Sequence, residues 1–63
     1  MTTAELARAE SLGILVTRHA TQAAEYMPGE DRREVLTSYL RADVVKLAEM
    51  FGLVLVDPVR EAA

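Results

Sequence analysis

Pro28-Gly29 divides this chain. Proline disfavours helical geometry in the residue before it, and glycine accepts turn conformations that other residues resist. A helix should therefore end near Met27, and any further helix must restart beyond Gly29. Asp31 followed by Glu34 has the form of a capping box with aspartate as the cap, which predicts a second helix from near Arg32. Gly52 suits the position just past a helix end, so this helix should run to Phe51. Leu36, Leu40, Val44, Leu47 and Phe51 recur at spacings of 4, 4, 3 and 4, which predicts one apolar face. Tyr39 and Met50 widen one edge of it, while Thr37, Ser38, Arg41 and Glu49 fall largely on the far side.

The half before the break admits two readings. Thr2 and Glu5 form a capping box, so a helix should start near Thr3. Continued to Met27, it would align Leu12, Val16, Ala20, Ala23 and Met27, flanked by Leu15 and Tyr26. Gly13 opposes this at about 1 kcal/mol relative to alanine, and the β-branched Ile14, Val16 and Thr17 follow it. The rival ends a helix at Leu12 and makes Ile14–Arg18 a short strand. A repeated phrase bears on the choice: AESLGILV at 9–16 is echoed by AEMFGLVL at 48–55. If both copies ended a helix at glycine, Ile14–Arg18 and Leu53–Val56 would be strands, able to pair in parallel across the intervening helices. An isolated two-stranded sheet is marginal, and the apolar face continues across Gly13. One long helix is therefore expected, with Gly13 inside it where backbones can approach closely, and Gly52 ending a helix. Leu53–Val56 then forms a short extended segment closed by Asp57-Pro58, and VREAA a frayed end or terminal turn.

With 63 residues, about half of them apolar, the chain should form a single folded domain, 1–63. Such a domain buries only about 60% of the surface its unfolded form exposes. It usually needs disulfides, a metal or oligomerisation. There is no cysteine and only one histidine, so thiolate and histidine-rich metal sites are excluded, and no calcium-binding loop or cofactor motif is present. Oligomerisation remains. The expected fold is mainly α: an antiparallel helical hairpin turning at Pro28-Gly29, with a short extended C-terminal segment, self-associating most simply as a dimer into a four-helix bundle. The net charge of −3 disfavours nonspecific binding to nucleic acid or anionic membrane. No apolar run approaches the roughly 20 residues of a membrane span, and MTTAELARAE lacks the pattern of a secretory signal. A cytoplasmic location is the default expectation. Six arginines against one lysine, with abundant alanine, fit a GC-rich genome.

His19 and Asp43 each fall inside an apolar stripe, about one helical turn apart in height across the hairpin. Either they form a buried pair (or Asp43 pairs with Arg18), fixing register or responding to pH, or both reach water at the edge. No nucleophile motif or phosphate loop accompanies them, so catalysis is not expected. Arg32, Arg33 and Arg41 form no continuous basic stripe, and the tyrosines and Phe51 read as core rather than as stacking platforms. The misplaced apolar residues carry more information. Ile14, Val35 and Val45 leave or skirt the stripes, and Leu53, Val54, Leu55 and Val56 complete a run, MFGLVLV, without a polar side chain. Together they propose an interaction surface.

Leu47–Gly52, LAEMFG, resembles the first helix and turn of helix-turn-helix proteins. That resemblance implies a compact DNA-binding regulator. The next segment, LVLVDP, carries Pro58 where a recognition helix belongs and lacks the side chains that read base edges. The leading expectation is a small non-enzymatic protein–protein interaction module: a homo-oligomeric adaptor, inhibitor or regulatory accessory protein of bacterial or phage type. DNA binding through Leu47–Gly52 is the alternative.

Overall fold

A computed structural model describes residues 1–56. It contains two helices, α1 (Thr3–Ala23) and α2 (Asp31–Met50), and no strand among the described residues. The predicted Asp57-Pro58 closure and the VREAA terminus lie outside the described residues.

α1 begins as its first residues dictate. The Glu5 N–H donates to the Thr2 hydroxyl at 3.2 Å, and the Glu5 carboxylate accepts the Thr2 N–H at 3.3 Å. This reciprocal box satisfies two of the donors a helix start leaves unpaired. The helix then runs through Gly13 and Ile14–Arg18 without a break. Its end falls at Ala23 rather than at the expected Met27. Glu25 and Tyr26 donate to the Gln22 and Ala23 carbonyls, tightening the backbone into turns. Met27 is left outside the helix and 71% exposed.

The reversal is a β-turn in which the Glu30 N–H donates to the Met27 carbonyl at 3.1 Å. Pro28 occupies the first central position and Gly29 the second, with φ of +92°, the arrangement of a type II turn. α2 starts one residue earlier than predicted. Glu30 is its N-cap and Asp31 its first residue, and no side chain caps the helix, so the Asp31–Glu34 box does not form. Instead the Glu30 carboxylate accepts the Met27 N–H and holds the turn. Asp31 and Glu34 still place negative charge in the first turn, where the helix dipole favours it.

α2 ends in a Schellman motif. Leu53 donates to the Ala48 carbonyl at 3.0 Å and Gly52 to the Glu49 carbonyl at 3.2 Å, with Gly52 at φ +69°. The two copies of the repeated phrase thus differ in conformation: Gly13 is helical and Gly52 ends a helix. Leu53–Val56 are neither helix nor strand. No helix follows Gly52 among the described residues, so the arrangement implied by the helix-turn-helix resemblance is not seen there.

The helices pack through two matching rows. On α1 the row is Ala9, Leu12, Val16, His19, Ala23 and, just past the helix, Tyr26. On α2 it is Arg33, Leu36, Leu40, Asp43, Leu47 and Met50. Every member is buried or half-buried, and the spacing within each row alternates 3 and 4. That is the seam of an antiparallel coiled-coil-like pair. Both predicted stripes need correction. Ala20 is exposed, and Phe51, expected in the core, is 55% exposed; Leu40, Val44 and Leu47 are only half-buried. The packing seam is rotated away from the apolar stripe on both helices, because it includes His19 and Asp43.

Candidate functional site

The centre of the seam is polar. α1 and α2 bring His19 Nδ1 to 2.6 Å from Asp43 Oδ2, with side-chain exposures of only 18% and 12%. An ionised carboxylate can only accept, so with Asp43 in that form Nδ1 is the donor. Both the imidazolium and the neutral Nδ1–H tautomer can make this bond. Nε2 then donates in the first state and accepts in the second. Tyr39 flanks the pair, its ring centroid 5.6 Å from that of His19 and tilted by 45°. No buried side-chain nitrogen or oxygen among the described residues lacks a partner. The pair is therefore a closed polar insertion in an apolar seam, stable only while both members are present.

A second polar tie closes the turn end. Arg33, on the α2 seam, donates from Nη1 to the Tyr26 carbonyl at 2.8 Å. That carbonyl lies in the connection after α1, so Arg33 links the first turn of α2 to the end of the opposing row. Sequence reasoning placed Arg33 among solvated charges and missed this role. The available signal was its spacing of three residues before Leu36, which puts it in the seam's register. The hydroxyls of Thr17, Thr21, Thr37 and Ser38 each donate to the carbonyl four residues earlier. They are held by the backbone of their own helices. No group of three histidine, cysteine or acidic residues able to hold a metal occurs among the described residues.

The structure unites part of the predicted interaction surface and separates the rest. Val45 lies with Arg41 and Glu49 along one wall of a cleft of about 160 Å³, and Leu53, Val54 and Leu55 form the other wall. Val56 is 84% exposed just beyond it. Ile14, 52% exposed, stands on the side of α1 turned away from the seam. Val35, 42% exposed, is ten residues before Val45 on α2, about 15 Å along the helix axis.

His19 and Tyr39 also identify which sides of the helices share a broad face. One face carries His19, Asp43 and Tyr39, with Leu15 and Met50 on the same side. The opposite side carries Gly13 and Ala20 of α1 and Val44 and Phe51 of α2, and Arg33 falls at the same angle of α2 as Phe51. Sequence reasoning saw several of these residues but assigned them to the core. No helix of the described residues is long and apolar enough to cross a membrane. No family model, curated protein or solved structure matches the chain.

Proposed function

We propose that this chain is a small non-enzymatic protein–protein interaction module that works as a homo-oligomer, most simply a dimer. An adaptor, inhibitor or regulatory accessory role of bacterial or phage type suits it. One observation carries this reading. Among the described residues only Leu12, Ala23 and Leu36 are buried apolar side chains, and none is fully buried, while eleven large apolar residues are exposed. Ordering a chain costs on the order of 1.5 kcal/mol per residue. Three small-to-medium side chains at about 25 cal/mol per Å² offset little of that. A second surface that buries part of the exposed set supplies what the hairpin lacks.

The test is sedimentation equilibrium across the micromolar range, paired with thermal unfolding at each concentration. A dimer mass, with a melting temperature that rises with concentration, is expected. A monomer that unfolds cooperatively at one temperature regardless of concentration would overturn the proposal.

A further inference from the structure

We infer that the broad face carrying His19 and Tyr39 docks an acidic amphipathic segment of another protein. Its carboxylates meet Arg8, Arg18, Arg32 and Lys46, and its apolar side chains cover Leu15, Tyr39 and Met50. This rests on the interaction-module reading and gives the chemistry of the partner; it is independent of self-association.

Two rows build the face. On α2, Arg32, Tyr39 and Lys46 follow one another at seven residues, two helical turns, so they stand in one line. The ring contact between Tyr39 and His19 fixes the side of the hairpin on which that line lies. On α1, Arg8, Leu15 and Gln22 repeat the same spacing on the His19 side, and Arg18 stands three residues after Leu15 and four before Gln22. The tie between Arg33 and the Tyr26 carbonyl sets the register of the hairpin at its turn end. From that register, Arg8 and Arg32 mark the two ends of a surface about 30 Å long, the length of a helix of about 20 residues.

Charge is sorted between this face and the edges. Arg33 is tied to the Tyr26 carbonyl, and Arg41 lines the cleft beside Val45 and Glu49. The other basic side chains of the described residues, Arg8, Arg18, Arg32 and Lys46, are exposed and make no ion pair or hydrogen bond with one another or with the rest. All four lie on the one face. The carboxylates of Asp31, Glu34 and Glu49 follow the edge of α2 turned away from α1, and that of Glu10 lies on the matching edge of α1. Asp43 is the carboxylate nearest the centre of the face, and it is 8% exposed and held by His19. A chain of net charge −3 thus presents a cationic face with acidic edges.

That sorting selects the occupant. A second copy related by a dyad would set these four cations against the same four, which like-charge repulsion opposes. A nucleic-acid backbone carries its charge continuously along its length and would run past the acidic edges, and it offers nothing to Leu15, Tyr39 and Met50. An acidic amphipathic helix supplies both parts: carboxylates for the cations and an apolar stripe for the side chains between them.

The probe is a synthetic helix of about 20 residues with leucines on one face and glutamates on both flanks. A twin with lysine for every glutamate and a single-stranded oligodeoxynucleotide of equal length serve as comparisons, with binding read by fluorescence anisotropy. The glutamate peptide should bind at least tenfold tighter than either, and more weakly as salt is raised. Two double variants test the face. Arg18→Gln with Lys46→Gln removes two of its cations, and Thr21→Glu with Ser38→Glu adds two anions on the outer edges. Both take the formal net charge from −3 to −5. The first should weaken the glutamate peptide at least fivefold, with helix content unchanged by circular dichroism because glutamine is as good a helix former as lysine or arginine. The second should stay within about threefold of the parent at physiological salt, where charges more than about 8 Å apart are largely screened. No binding of the glutamate peptide, equal affinity for its lysine twin, or equal losses in the two double variants would overturn the inference. Tighter binding of the oligonucleotide would overturn it in favour of nucleic acid. None of these results bears on self-association, which sedimentation decides separately.

Discussion

The two broad faces of the hairpin are built from neighbouring residues and solve different problems. Asp43 turns to one face and Val44 to the other; His19 and Ala20 divide in the same way. The first face closes on itself at its centre. His19 meets Asp43, and Tyr39 lies against His19. The second carries Gly13 and Ala20 beside Val44 and Phe51, and a Cβ at Gly13 would meet none of the described residues within 4 Å. Directional polar contacts are satisfied by one arrangement and leave costly orphans in others, so they specify a register. Apolar surface is indifferent to direction and gains from any cover. The contrast separates what aligns the two helices from what only widens their apolar surface.

The hardest blow to both faces should come from the seam between them. Leu36 is only 4% exposed, and Leu36→Ala should cost about 2–5 kcal/mol, as other buried leucine truncations do. Chemical denaturation would read this as a large drop in midpoint or as failure to fold. A loss below about 1 kcal/mol would mean that the seam is misassigned.

Asp43→Ala strips the polar face of the acceptor that holds His19. It should cost about 1–3 kcal/mol, the penalty for leaving a largely buried polar group without its partner. Replacing both His19 and Asp43 by leucine removes the orphan with the bond. That double variant should recover most of the lost stability, as replacement of buried ion pairs often does. If the pair selects the register, the amide spectrum of the double variant should show broadened or doubled resonances. A single sharp set would assign the pair a role in stability alone.

Gly52→Ala comes next, at about 1 kcal/mol, because alanine is strained at the positive φ of the Schellman motif. The loss should appear in the denaturation midpoint at fixed protein concentration. No loss would place Gly52 outside the left-handed region. The smallest effect is expected from Thr2→Ala. It removes a capping box whose helix turn, residues 3–8, is exposed throughout, so about 0.5 kcal/mol is expected. Amide exchange should quicken in that turn and stay unchanged at Leu12; a change reaching Leu12 would mean that the first turn and the seam melt together.

Much of the fold was legible from local chemistry. Thr2 and Glu5 mark a start, Pro28-Gly29 a reversal and Gly52 an end, since each depends on residues within a few positions. The exact edges were less so. Met27 looked helical by pattern, but the chain turns before it, and Asp31 looked like a cap although the turn gives that place to Glu30. Of the candidate site, the proximity of His19 and Asp43 could be foreseen once the hairpin was drawn. The part played by Arg33 could not, because a basic residue beside Glu30, Asp31 and Glu34 reads as solvated surface.

The sequence by itself determined two helices and their reversal, because helix periodicity and turn geometry are properties of short stretches. Only the tertiary structure decided which rows meet. A tally of hydrophobic positions counts His19, Asp43 and Arg33 against burial, since each alone loses more by leaving water than it gains. Packed together, His19 and Asp43 satisfy each other and Arg33 finds a carbonyl, so the penalty is offset by contacts that exist only between elements. That exchange turns the seam onto the polar pair and leaves Ala20, Val44 and Phe51 beside it rather than inside it.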